Sequence, residues 1–267
     1  MVVEDKLEPL RGVDLVFLCV PKASALDWVR QFLQAEVPCI DLTGVLEANE
    51  EVPLLAPEND RAASLISKPI VAAIRGVPLA CYLALSPLDK KFDLKRVVVT
   101  VLDSASGLGK AGADVLQEEV IGLFNRGEMD EPQIFSRNLA FDCIPKTEGT
   151  EGTAAVLSRM FPQVEFDVSC VQVPIFSGNT ISLIAETRTA VSKEDATRAL
   201  LESTALEIWE DDPIPSSRDS SGKDKVFVGG IRELSGDKLK VQFWISADAL
   251  RLSAARAAAL AELRYED

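Results

Sequence analysis

No histidine occurs in this chain of 267 residues. That absence removes the usual general base for a serine or cysteine nucleophile and the commonest zinc ligand, so catalysis would have to rest on carboxylates, lysine or a bound cofactor. Positive charge is also scarce. Lys and Arg number 28 against 42 Asp and Glu, a net charge of −14, which disfavours a phosphate backbone or an anionic membrane as a partner. No run approaches the about 18 uncharged apolar residues needed to span a bilayer. The opening MVVEDKLEPLRG is charged where a signal peptide would be apolar. There is no C-x-x-C: the five cysteines, Cys19, Cys39, Cys81, Cys143 and Cys170, are widely spaced and mostly embedded in apolar runs. They read as reduced thiols packing as small hydrophobes. The expectation is a cytoplasmic protein that binds no metal, no nucleic acid and no membrane.

What is present centres on residues 97–125, VVVTVLDSASGLGKAGADVLQEEVIGLFN, read as a buried strand, a small-residue turn and an amphipathic helix. Gly107, Gly109 and Gly112 spell G-x-G-x-x-G at the joint, where a dinucleotide fold holds its pyrophosphate. The full fingerprint also wants a strand ending in an acid roughly 20 residues further on. At that distance MDEPQ (129–133) offers Asp130 and Glu131 beside a proline, with no apolar lead-in. The better reading is a turn whose glycines let strand and helix pack closely. The helix is expected to bury Val115, Leu116, Val120, Ile121, Leu123 and Phe124, and to expose Asp114, Gln117, Glu118 and Glu119. Glu118–Glu119, Glu50–Glu51 and Asp211–Asp212 read as solvated pairs rather than acid–base machinery. Lys68 reads as an ordinary amine.

The chain before residue 97 alternates strand and helix. VDLVFLCV (13–20) is apolar nearly throughout, which suits a strand covered on both faces of a parallel sheet. A helix over 23–35 and a strand over 37–42 complete a β-α-β unit. A strand over 62–69 follows a loop rich in acid and proline, and a buried helix over 71–88 is strained at Gly76 and Pro78. Further on, KTEGTEG (146–152) reads as a mobile loop and 154–160 as a helix. Strands are expected over 166–175, 179–187, 226–234 and 238–246, with a helix capped by Ser192 and Asp195 between them and a closing helix over 249–263. The fold class is α/β plus α+β.

Several segments together resemble the aspartate-semialdehyde dehydrogenase family: GVDLVFLCVP, VPCIDLTG, VPLLAPE, KRVVVTVLDSASGLGKAG, RNLAFDCIP, VQVPIFSGN, DKVFVGGIRE and VQFWISADALR. IDLTGVLE, RNLAFDCIP and CVQVPIFSGN are most similar to its Usg branch. The resemblance implies an incomplete Rossmann-type domain over 1–70, completed by the C-terminal helix 248–267, and an inserted dimerisation domain over 71–247. It implies that the family's NADP loop lies upstream, in a segment this sequence does not contain, so no cofactor is expected. It also implies that the Gly107–Gly112 turn belongs to the dimerisation domain. The family's cysteine nucleophile is matched by Val71 in KPIV, and its histidine base by Asn179 in PIFSGN. Its substrate-binding arginine corresponds to Gln172 and its phosphate-binding arginine to Glu47. Valine forms no thioester and asparagine relays no proton near neutral pH. The implied protein is a homodimer without catalysis that binds a partner, an active paralogue among the candidates. The other function implied is an NADP-dependent oxidoreductase acting on an aldehyde or acyl phosphate in amino-acid biosynthesis.

Overall fold

A computed structural model describes residues 10, 12–126, 131–147, 150–234 and 236–266. The chain forms two compact units, Met1–Leu79 with Ser253–Asp267, and Ala80–Leu252.

The first unit contains β1 (Val16–Leu18), α1 (Lys22–Gln34), β2 (Cys39–Asp41), β3 (Leu54–Leu55), α2 (Ala62–Leu65) and β4 (Ile70–Ala73). Its sheet has the order β1-β2-β4-β3 with every pairing parallel. Parallel strands covered on both faces need unbroken apolar runs, and every residue of β2, β3 and β4 is buried. Ile40, Leu55, Ile66, Val71 and Ala73 form one core cluster with Leu260 from the closing helix. That helix is tied down further. The Arg264 guanidinium donates to the carbonyls of Ile66 and Lys68, and the Tyr265 hydroxyl donates to the carbonyl of Asp14 at 2.9 Å.

Three sequence expectations change in this unit. The strand read over 13–20 as covered on both faces is the three-residue edge strand β1, with Phe17 42% exposed. Residues 62–65 form a short helix, and the strand begins at Ile70, where a helix was expected from residue 71. A four-residue apolar run buried on both faces has no periodicity to tell strand from helix. Gly76, at φ +65, separates the two elements. It begins α3 (Gly76–Phe92), so Pro78 falls in the first turn, where its missing N–H costs nothing, and Pro87 lies inside the helix.

The second unit continues with β5 (Leu94–Asp103), a 3-10 turn at Ala105–Leu108, α4 (Gly109–Arg126), β6 (Ile144–Lys146), α5 (Thr150–Met160), β7 (Glu165–Gln172) and β8 (Asn179–Thr187). Then follow α6 (Lys193–Leu201), β9 (Leu206–Trp209), α7 (Ser217–Ser220), β10 (Val226–Leu234) and β11 (Asp237–Ala247); the closing helix α8 (Ala249–Tyr265) belongs from Ser253 onward to the first unit. The mixed sheet has the order β6-β7-β5-β8-β11-β10-β9. Strict alternation along β5 buries Val97, Val99 and Val101, while Val98, Thr100 and Leu102 lie half-exposed on the other face. Ser192 caps α6 as expected, its hydroxyl accepting from the Asp195 N–H at 3.1 Å. The segment expected to be a mobile loop is shorter: Lys146 closes β6 and α5 starts at Thr150, while Glu148 and Gly149 lie outside the described residues.

Candidate functional site

In the second unit, four strand ends converge on Asp103, the last residue of β5. Asn179, the first residue of β8, donates its side-chain amide to Asp103 Oδ1 at 2.8 Å. Lys146, the last of β6, places Nζ 3.1 Å from Asp103 Oδ2 and 3.3 Å from Gln172 Oε1. Gln172, the last of β7, donates its own amide to the Asp103 backbone carbonyl at 2.9 Å. The Asp103 and Lys146 side chains are 14% and 30% exposed, so the ion pair is mostly sheltered. Asn179 and Gln172 are buried. The cluster is closed: the carboxylate is met by an ammonium and an amide, and the Gln172 amide uses both its oxygen, as acceptor, and its nitrogen, as donor.

The glycine turn packs directly on this cluster. A Cβ at Gly107 would lie 2.7 Å from the Asp103 carboxylate, and one at Gly112 would lie 2.0 Å from the Ala105 carbonyl oxygen. Three backbone N–H groups of the turn are spent inside the fold: Ala105 N–H on the Ile175 carbonyl, Ser106 N–H on Phe176, Gly107 N–H on Ser104. Close packing is what requires glycine at positions 107 and 112. Of the expected acids downstream, Asp130 lies outside the described residues; Glu131 is exposed, and the next strand after α4 is β6, which starts at Ile144, past that acid.

In the first unit, the carboxyl end of the parallel sheet is where open α/β folds hold ligands. Asp41 ends β2 there. Its buried carboxylate accepts from the Thr43 N–H (2.8 Å), the Thr43 hydroxyl (2.6 Å) and the Leu46 N–H (3.2 Å). The loop so formed carries Gly44, over which the Arg75 guanidinium lies; a Cβ at Gly44 would meet Arg75 Nη2 at 2.1 Å. Arg75 Nε is 3.1 Å from Glu47 Oε1. Burial, first of all, pushes the Glu47 carboxyl above its usual range, against the pull of Arg75 and Lys22. Glu47, read as replacing an anion-binding arginine, thus engages an arginine two residues past the end of β4. The Gly76 N–H donates to the Ser253 hydroxyl at 2.9 Å.

Val71 is 1% exposed, paired with Ile40 in the middle of β4 and packed in the core cluster. A side chain at 71 faces apolar core, so the reactive-centre correspondence drawn to it from sequence does not suit its surroundings. The residue at the strand-to-helix junction is Gly76, which has no side chain. The thiols offer no substitute near it in chemistry: burial raises Cys81 and Cys39 to about 12 and Cys170 to about 11. Cys19 and Cys143, expected in apolar surroundings, are exposed. Lys68 is exposed, as are Glu50, Glu51, Asp211 and Asp212. Glu119 is the exception among the paired acids: it is buried, its carboxylate accepting from the N–H groups of Leu139 (2.7 Å) and Ala140 (2.8 Å). Asp103 and Lys146 were missed by sequence reasoning. The signal for the first was an acid closing a valine-rich strand; Lys146, in a polar loop pattern, gave none.

Residues 85–252 match the family model for the semialdehyde dehydrogenase dimerisation domain, and residues 1–65 match the model for the semialdehyde dehydrogenase NAD binding domain. The chain is 30% identical to aspartate-semialdehyde dehydrogenase 2 of Vibrio cholerae, over 90% of this chain and 75% of that protein. It is 29% identical to a USG-1 protein homolog of Pseudomonas aeruginosa, over 83% of this chain and 69% of that one. The crystal structure of aspartate semialdehyde dehydrogenase II from Vibrio cholerae superposes with a TM-score of 0.90 at 27% identity, over 97% of this chain and 81% of that chain.

Proposed function

The chain belongs to the semialdehyde dehydrogenase family, and we propose that it is a member without catalysis that acts as a homodimeric binding or interaction protein. The observation that carries this reading is the closed cluster at Asp103. The position matched to the family's base is Asn179, an amide with no proton to relay, already committed to Asp103. The position matched to a substrate arginine is Gln172, committed to Lys146 and the Asp103 carbonyl. Whether the nucleophile's place is taken as Val71 or as Gly76, no thiol stands there. Loss of base and nucleophile together removes several orders of magnitude in rate.

The dimer is supported by the dimerisation-domain match and by the sheet face turned away from the buried side of β5. Its rows run Val98–Ile184–Gln242 and Thr100–Ser182–Trp244 across β5, β8 and β11. Most of these side chains are half-exposed. A second copy, or an active paralogue with the same face, would cover them.

The test is an assay of the purified protein for NADP- and phosphate-dependent oxidation of aspartate semialdehyde. No turnover above the blank is expected; turnover lost in Cys81→Ser would overturn the reading. A second reading, an oxidoreductase that keeps its nucleotide, is favoured by the NAD-binding-domain match over residues 1–65. Calorimetry with NADP separates the two: heat of binding without turnover leaves a nucleotide-binding protein that performs no chemistry.

A further inference from the structure

The helix α4 departs from its sequence pattern at one place. Ile121 and Phe124, spaced to be buried, are 47% and 75% exposed. Phe124 is met edge-to-face by Phe141, itself 65% exposed, with ring centroids 5.9 Å apart. Two large aromatic side chains touching each other in water, with an isoleucine one turn back on the same helix face, form an apolar surface that no contact among the described residues covers.

The surface is held in place at some cost. Phe141 has φ +62, a left-handed conformation that bulky residues rarely adopt. The segment that presents it is anchored from below by the buried Glu119 carboxylate, which accepts from the Leu139 and Ala140 N–H groups. The Asp142 N–H closes the turn on the Leu139 carbonyl at 3.0 Å, and the Cys143 N–H donates to Asp142 Oδ1 at 2.7 Å. A buried carboxylate has therefore been spent on fixing a strained backbone whose tip is an exposed ring. Strain kept at an exposed, pre-organised aromatic is the pattern of a recognition site.

Charge selects the occupant. Glu118 lies one turn before Ile121 on α4 and Asp142 follows Phe141; both are exposed, while Gln117 and Asn125 on the helix are neutral. Among the described residues 131–143, Arg137 is the one basic residue. A second copy docking through this same face would set Glu118 and Asp142 against like charge. We propose that the Ile121–Phe124–Phe141 surface docks a partner segment that presents a large apolar side chain flanked by Lys or Arg.

The test uses the full chain and a fluorescein-labelled amphipathic helix of Leu and Lys, followed by fluorescence anisotropy at low salt. Controls are an Ala–Lys peptide of equal charge and a Leu–Glu peptide. Binding of the Leu–Lys peptide is expected to weaken about tenfold or more in Phe124→Ser and in Phe141→Gly, and to weaken several-fold on raising salt. Glycine relieves the left-handed backbone, so Phe141→Gly should melt at or above the wild-type temperature while it loses the peptide. Equal binding by the Ala–Lys or Leu–Glu peptide, or unchanged affinity in both variants, would overturn the proposal. A Phe141→Gly variant that melts well below wild type would make Phe141 a packing residue and overturn it too. Self-association that disappears in Phe124→Ser would assign the surface to a second copy instead.

Discussion

Asp41 and Asp103 occupy equivalent places in the two units, each the last residue of a strand, and each is satisfied by opposite means. Asp41 finds all its partners within five residues, at Thr43 and Leu46. Asp103 draws its partners from 43 and 76 residues away, at Lys146 and Asn179. The first arrangement makes a loop; the second ties four strands together. Local satisfaction can survive in any protein that keeps the loop, whereas the long-range kind fixes the positions where a reacting group would stand. The unit that closes on Asp103 has used its polar side chains on one another.

The largest effect should come from the local carboxylate. Asp41→Ala leaves two buried N–H groups and a hydroxyl without their acceptor, each orphaned group costing about 1–3 kcal/mol, so a loss of roughly 3–5 kcal/mol in the first unit is expected. Urea unfolding with hydrogen exchange over residues 41–46 would measure it. Asp103→Ala should cost less, about 1–2 kcal/mol, because the Lys146 ammonium is 30% exposed and can turn to water. A double-mutant cycle of Asp103→Ala with Lys146→Met should return a coupling below about 1 kcal/mol. If Asp103→Ala proves as costly as Asp41→Ala, the distinction between the two carboxylates fails.

The same distinction explains what was legible beforehand. The packing role of Gly107 and Gly112 could be read from the sequence, because the clashes that require glycine come from residues four and seven positions back. The long strands β5, β8, β10 and β11 announced themselves by alternation or length. β4 did not, since full burial erased its period, and with it went the placement of Val71. Lys146 was hidden because its partners lie on other strands. Ile121 and Phe124 misled for a physical reason: helical spacing reports which residues share a face, and what covers that face is a property of the rest of the fold. Glu119 completes the case, a charge at an apparently wet position buried because a distant loop brings it two N–H groups.

The smallest effect concerns Glu47, whose local loop is set by Asp41 and whose partner Arg75 comes from the turn after β4. Its carboxyl is raised above the usual glutamate range chiefly by burial, with Asp41 adding to the rise and Arg75 and Lys22 opposing it. A carboxyl that holds its proton more tightly folded than unfolded favours the fold most below its unfolded value; that contribution disappears as pH rises through the folded value. The stability of wild type relative to Glu47→Gln should therefore be greatest in acid, fall as pH climbs from the usual glutamate range through the raised value, and be flat beyond it. Urea midpoints of both proteins across that window give the slope directly. A difference that grows with pH would mean that the Arg75 ion pair outweighs burial, and that Glu47 behaves as a long-range partner in the manner of Asp103 rather than as part of the Asp41 loop.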